Sequence, residues 1–303
     1  MGAILGGGTV VTMAGGAKFD PVGIWETVDQ RRVTNMAIVG DAFAKPLLQV
    51  LEEAPQKYDL SCVRVILSSG VMWSVDVKRG LLRHIPQAAL MDSFGASESI
   101  GFGMSVMTAE GEFQTAQFEI GPHCKVFSED GREISPGSDE PGIIARGGAV
   151  PLGYYKDEKK SAKTFKIIDG VRYAIPGDWC KVAADGTLTL LGRGSNCINS
   201  AGEKIYPEEV EEALKMHDDV KDALVVGIPD EKWGEAVTAV VTLETSDGVD
   251  EDTLRAFLTT RLAKYKTPKR ILFTPNLGRA ANGKADYASI RAFALESLGI
   301  VEN

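Results

Sequence analysis

The chain has 303 residues, 44% hydrophobic and 25% charged, a globular composition with room for one large domain or two of ~100–200 residues. Collagen-like, disordered and short-peptide classes are excluded. Its 33 lysines and arginines face 42 aspartates and glutamates, a net charge of −9, so no overall basic field draws it to nucleic acid or anionic lipid, although a local basic pocket for an anionic cofactor stays open.

The first seventeen residues carry no charged side chain, yet they lack a basic leader and are broken by Gly6-Gly7-Gly8 and Gly15-Gly16. Neither a signal peptide nor a membrane span is expected. The glycine triplet reads as a turn before a strand at residues 9–13. Further β-rich runs at 35–39, 63–67 and 88–91 alternate with helix-forming segments at 21–31 and 44–53. That order predicts βα units around a mostly parallel sheet, whose strand ends are where ligands sit.

Between residues 122 and 191 the pattern changes to short strands punctuated by Glu129-Asp130-Gly131, Ser135-Pro136-Gly137, Ile168-Asp169-Gly170 and Ala184-Asp185-Gly186, which predicts antiparallel sheet and a small barrel. After Gly192-Arg193-Gly194-Ser195 it changes again. Pro207 suits the first helical position, acids at Glu208, Glu209, Glu211 and Glu212 favour the helix dipole, and Val210 with Leu214 gives an i,i+4 pair, predicting a helix over 207–217. Strands are expected at 224–229 and 236–243, and a helix at 252–264. The expected division is 1–121, the remainder of a large α/β domain; 122–194, an antiparallel β subdomain; and 195–303, an α+β domain, with the joint at 192–196.

Cys62, Cys124, Cys180 and Cys197 are widely spaced, with His84, His123 and His217 as the only histidines. A disulfide framework or zinc site is not expected, and a reducing cytoplasm is the expected setting.

The chemistry-bearing residues lie in six short stretches. Asp92-Ser93-Phe94-Gly95-Ala96-Ser97-Glu98 follows an apolar strand and offers a ring, a flexible glycine, a hydroxyl and a carboxylate. That set could stack a purine, approach a phosphate and hold Mg²⁺, or simply connect a strand to a helix. Ser68-Ser69-Gly70 ends another strand and could line the same crevice or be a β-turn. Ile175-Pro176-Gly177-Asp178 puts a carboxylate on a rigid turn, suited to two ribose hydroxyls, and Gly192-Arg193 puts a guanidinium fifteen residues on. Residues 198–210 form a loop with a central glycine leading into a helix. Gly283-Lys284 ends the series in a polar, turn-rich stretch from 279 to 286, where the lysine could reach an active site or be solvated.

Taken in order, Phe94-Gly95-Ala96-Ser97-Glu98, Tyr173 to Asp178, Gly192 to Glu211, and Pro268-Lys269-Arg270 to Gly283-Lys284 strongly resemble the adenylate-forming superfamily of acyl-CoA synthetases, luciferases and peptide-synthetase adenylation domains. The long third motif is the most specific. Gly153-Tyr154-Tyr155-Lys156-Asp157-Glu158-Lys159-Lys160 and Gly283-Lys284-Ala285-Asp286-Tyr287 look most like actinobacterial fatty-acyl and sterol side-chain CoA ligases.

The resemblance implies ATP, Mg²⁺ and coenzyme A as co-substrates or cofactors and a hydrophobic carboxylic acid as substrate. No nucleic-acid partner is implied, and a homo-oligomer stays open. It also implies roles. Phe94 would stack on adenine, with Gly70, Ser93 and Gly95 beside it; Ser97 would contact the adenylate phosphate and Glu98 would bind Mg²⁺. Asp178 and Arg193 would hold the ribose. Ser195 would be the hinge of a mobile lid spanning 195–303, and Ser200, Gly202 and Glu203 would line the pantetheine passage. Lys284 would bridge the attacking carboxylate and the phosphate.

Two positions depart from the family pattern, Ser97 where threonine is usual and Asn196 where an acid is usual. No Ser/Thr/Gly-rich phosphate loop ending in Pro-Lys-Gly occurs in the 303 residues. The expectation is therefore the C-terminal portion of a longer synthetase, inactive alone. Alternatives are a carrier-loading adenylation domain and a nucleotide-binding module without turnover. The acyl pocket would draw on residues 68–73 and 94–102, whose apolar character indicates an apolar acid and no more.

Overall fold

The computed structural model describes residues 2–13, 19–71, 73–110, 117–245, 248–280 and 283–300. Gly15, Gly16, Met72, Ala281 and Asn282, which fall in stretches read above, lie outside them. The chain divides into two compact units, Met1–Pro122 and His123–Asn303.

In the first unit a short helix α1 (Gly2–Leu5) is closed by a turn in which Gly8 N–H donates to Ala3 O. The turn is present, but the strand expected after it is not: residues 9–13 are irregular and exposed. A β-rich run becomes a strand only when a neighbour takes its backbone groups, and these residues pair with no strand among the described residues. Helix α2 (Pro21–Arg31) starts at Asp20, whose carboxylate accepts from Gly23 N–H, and stops at Arg32 in the left-handed region. Asp157, Asp250 and Asp286 cap three later helices in the same way, each contributing about 1 kcal/mol.

The parallel strands β1 (Asn35–Ile38), β2 (Val65–Ser69) and β3 (Ala89–Ala96) lie in that order, alternating with α3 (Gly40–Glu53) and α4 (Val75–His84). Helix α3 begins four residues earlier than expected, at the positive-φ Gly40. Strand β4 (Ser99–Met107) extends the sheet antiparallel to β3, and β5 (Gln117–Ile120) pairs antiparallel with β4. One face is covered by Trp25 and Val28 of α2, Leu47 and Leu51 of α3, and Leu81 of α4, packed against Ile66 and Leu90. Trp25 adds a buried hydrogen bond from Nε1 to Leu47 O (2.9 Å).

The second unit opens with β6 (Cys124–Phe127) and β7 (Gly142–Arg146), then α5 (Glu158–Thr164), β8 (Phe165–Ile168), β9 (Val171–Ala174), β10 (Asp178–Val182) and β11 (Leu188–Arg193). The strands run β11-β10-β7-β9-β8, with β6 also on β7. No closed barrel forms among the described residues. The physical reason is that β7 is shared: Gly142 and Ile143 pair with β10 while Arg146 pairs with β9, so the sheet splays open.

A 3₁₀ turn, Gly194–Asn196, leads to the hairpin β12 (Ile198–Ser200) and β13 (Glu203–Ile205), then α6 (Pro207–Lys215), β14 (Val220–Asp230), β15 (Gly234–Leu243), α7 (Glu251–Thr259), β16 (Arg270–Phe273) and α8 (Tyr287–Leu298). Helix α6 ends two residues sooner than expected. Helix α7 stops at Thr259 rather than at 264, because the hydroxyls of Thr259 and Thr260 turn back onto Ala256 O and Phe257 O, competing with continued helix. Alternate residues of β14 face opposite cores. Ala223 and Val225 pack with Val210, Leu214, Leu254 and Leu258, whereas Leu224, Val226 and Ile228 pack with Ile290 and Ala294 of α8. Burial on both faces explains the uninterrupted apolar run in the sequence.

Candidate functional site

In the first unit the candidate residues gather at the C-terminal ends of the parallel strands. Strand β3 runs on through Ala96, so Asp92 to Ala96 are strand, and Ser97-Glu98 is a two-residue hairpin turn rather than part of a loop. The turn exposes Ser97 and leaves Glu98 half-buried. Gly95 lies where the hairpin closes on itself, since a Cβ there would stand 3.1 Å from Gly101 N. Phe94 is buried against Phe102 and Phe118, with ring centroids 5.4 and 5.7 Å away.

The serines before Gly70 are partly spoken for: Ser68 Oγ accepts from Gly40 N–H (2.9 Å) and Ser69 Oγ donates to Ser93 O (2.8 Å). Gly70 has φ +89°, and nothing lies within 4 Å of where its Cβ would be. It is therefore both a turn residue and an open spot. Below the hairpin is a pair that sequence reading passed over. Lys78 of α4, 2% exposed, binds Asp92 and sits 5.3 Å from the Trp73 ring centroid. Only the two-residue periodicity of β3 hinted that Asp92 points inward.

The second unit pairs Asp178 directly across from Arg193 in the β10–β11 register. Arg193 Nε donates to Asp178 Oδ1 at 3.3 Å, the carboxylate largely buried and the guanidinium half exposed. Gly192 has φ +126°, a backbone conformation that favours glycine, and a Cβ there would stand 2.0 Å from Glu208 Oε2 and displace that carboxylate. Glu208, at the start of α6, accepts from Arg193 N–H (3.4 Å), and burial raises its pKa. Glu208 is a missed residue; the helix dipole explained its acidity without revealing its contact.

Ser195 lies in the 3₁₀ turn, beside Gly194, where a Cβ would meet Trp179 Nε1 at 2.5 Å. Ser200 and Glu203 face each other across the β12–β13 hairpin, whose turn is Ala201-Gly202, both at positive φ. The expected loop is thus a tight hairpin. Lys204 next to it ion-pairs with Glu129 (2.6 Å) and lies 4.6 Å from the Trp179 ring centroid.

Lys284 is exposed, at the end of a turn that Gly283 N–H closes on Ala280 O (2.8 Å). Around it Arg279 binds Asp222 of β14, and Tyr287 donates to Glu211 of α6 (3.0 Å). Burial pushes the Glu211 carboxyl up to about 8, although it also accepts from Val225 N–H (2.9 Å).

Among the described residues no three or more His, Cys, Asp or Glu side chains cluster to hold a metal ion. Mg²⁺ bound with a nucleotide needs only one or two carboxylates, phosphate oxygens and water supplying the rest, so a single half-buried Glu98 on a hairpin turn fits that role. No helix of the described residues is long and apolar enough to cross a membrane.

The AMP-binding enzyme family matches residues 1–155, and the AMP-binding enzyme C-terminal domain matches residues 209–284. The medium/long-chain-fatty-acid–CoA/3-oxocholest-4-en-26-oate–CoA ligase of Mycolicibacterium smegmatis is 44% identical over 290 residues, covering 94% of this chain and 52% of the relative. The 3-oxocholest-4-en-26-oate–CoA ligase of Rhodococcus rhodochrous is 44% identical over 270 residues, covering 87% of this chain and 48% of the relative. ATP-bound MatB from Rhodopseudomonas palustris superposes with a TM-score of 0.77 at 26% identity, over 93% of this chain and 54% of that one. The chain spans about half the length of the curated relatives it matches. With the motifs in order and family matches over both units, the chain belongs to the AMP-binding enzyme family.

Proposed function

We propose that this chain carries nucleotide- and thiol-handling residues of an ATP-dependent acyl-CoA synthetase, which activates a hydrophobic carboxylate as acyl-AMP and transfers the acyl group to CoA. The observation that carries the reading is the Asp178–Arg193 pair set across β10 and β11. A buried carboxylate is a good acceptor for two ribose hydroxyls, and the half-exposed guanidinium keeps donors available for ribose or phosphate oxygens. Phe94 supplies a ring for adenine, with Gly70, Ser93 and Gly95 beside it. Ser97 supplies a hydroxyl for the phosphate, and Glu98 a Mg²⁺ ligand.

Lys284 stabilises charge between the attacking carboxylate and the phosphate, because phosphoryl-centre chemistry depends on positioning and electrostatics more than on covalent help. Ser200, Gly202 and Glu203 flank the pantetheine path, with Gly202 contributing an open backbone: nothing lies within 4 Å of a Cβ built there. In this reading 1–121 is part of a large α/β domain, 122–194 an antiparallel subdomain, and 195–303 a lid hinged at Ser195. The setting is cytoplasmic. Medium- or long-chain fatty acids are the proposed substrates, supported by the name of the M. smegmatis relative, which gives 3-oxocholest-4-en-26-oate beside them.

The test is a hybrid in which this chain replaces the matching half of the M. smegmatis ligase. It is given ATP, Mg²⁺, CoA and, in turn, medium- and long-chain fatty acids, an oxosterol side-chain acid and indoleacetate. CoA thioester from fatty acids is the expected product. A folded hybrid forming neither acyl-AMP nor thioester from any of these acids would refute the reading.

A further inference from the structure

Lys284 has a long flexible stem and is itself exposed, so its usefulness depends on how its backbone is held. We propose that Arg279 and Asp222 form a clasp that positions Lys284 for the first half-reaction, with Tyr287 on Glu211 as a second tie; this rests on the role proposed above for Lys284.

The segment between β16 and α8 is anchored on both sides of the lysine. Before it, Arg279 donates from Nε to Asp222 Oδ2 (2.6 Å) and from Nη2 to Asp222 Oδ1 (2.9 Å), a fork on a carboxylate of β14. The third guanidinium donor, Nη1, reaches Gly283 O (3.2 Å), the carbonyl immediately before Lys284. One side chain thus ties the lysine's own peptide to the sheet. The backbone closes the same turn, with Ala280 N–H donating to Lys284 O (3.0 Å). Both partners are mostly buried, 20% and 27% exposed, so solvent screens the pair less than a surface salt bridge.

After the lysine, Tyr287 opens α8 and donates its hydroxyl to Glu211. Asp222 and the Val225 N–H that holds Glu211 both belong to β14. The two ties therefore share one floor. A planar fork that spans two carboxylate oxygens and a carbonyl is a geometry only arginine supplies; lysine at 279 keeps the charge and loses the fork. Arg279 and Asp222 touch no reacting atom in this account, and act as positioning residues.

The hybrid enzyme tests the clasp with its half-reactions measured separately. Arg279→Ala should lower the rate of acyl-AMP formation by ~10–100-fold, since misplacing a catalytic group by about 1 Å has that scale of effect. Thioester formation from pre-made acyl-AMP should stay within ~3-fold of wild type, because a lost interaction confined to one transition state affects that step alone. Arg279→Lys should fall between, and the double exchange Asp222→Arg with Arg279→Asp should recover much of the loss. In the 303-residue chain, amide exchange at Gly283 and Lys284 should quicken in Arg279→Ala and slow again in the double exchange, a readout that needs no turnover. Unchanged acyl-AMP formation in Arg279→Ala beside an impaired Lys284→Ala overturns the clasp alone. So does equal loss of both half-reactions, or unaltered amide exchange. An unimpaired Lys284→Ala overturns the role of the lysine and the clasp with it.

Discussion

In the hybrid enzyme, Lys284→Ala is expected to lower acyl-AMP formation by ~10²–10³-fold while thioester formation from pre-made acyl-AMP continues near the wild-type rate. The magnitude is that of removing one preorganised donor from a developing negative charge. The selectivity follows from placement. Lys284 stands on the turn before α8, whereas the residues assigned to the thiol step sit on the β12–β13 hairpin at the other end of the 195–303 segment. An ammonium serving only the first transition state has no second-step interaction to lose. Rapid-quench measurement of each half-reaction decides it, and equal damage to both steps would remove the division of labour.

The second large effect concerns stability. Lys78→Met should destabilise the first unit by ~3–5 kcal/mol, the usual consequence of leaving one member of a buried ion pair without its partner. Lys78 is 2% exposed and Asp92 8%, so water cannot readily replace the lost ammonium. Methionine keeps most of the stem's packing, which assigns the loss to charge rather than to a cavity. Removing both charges, Lys78→Met with Asp92→Leu, should recover most of the stability, because an apolar pair of similar volume is often no worse than the ions. Urea unfolding of the three proteins checks this. A single mutant within ~1 kcal/mol of wild type, the scale of an exposed pair, would mean that the pair is solvated.

How legible each part was depended on whether its signal was local. Helix α2 follows from Asp20, Pro21 and one apolar stripe, and its bounds agree with those expected from sequence. Strand β14 was legible because burial on both faces leaves an apolar run without interruption. Residues 9–13 carried the same β-rich composition without a neighbouring strand, and composition alone does not contain the neighbour. The barrel failed for a related reason: turn signals count strands but do not say that β7 divides one edge between β9 and β10.

At the candidate site the motif residues were visible as residue types, while their partners were not. Asp178 and Arg193 are fifteen residues apart in sequence, and the antiparallel register makes them face each other. Gly192 was visible only as the residue before Arg193; the structure adds its φ of +126° and the Glu208 carboxylate where a side chain would be. Gly202 read as an open passage, and the hairpin adds a positive φ that favours glycine. The Arg279–Asp222 clasp joins positions 57 residues apart, beyond any local pattern.

The most direct measurement is a cycle between Asp178→Ala and the ribose hydroxyls. A non-hydrolysable acyl-adenylate analogue and its 2′,3′-dideoxy counterpart are titrated calorimetrically against the hybrid enzyme and its Asp178→Ala variant. Hydrogen bonds to a charged acceptor contribute ~1.5–3 kcal/mol, or ~10–100-fold in affinity. Wild type should lose that much on removal of the hydroxyls, and Asp178→Ala should bind both analogues equally weakly. Wild-type protein that binds the two analogues with the same affinity, or a variant that still discriminates between them as wild type does, would contradict the ribose-binding role of Asp178.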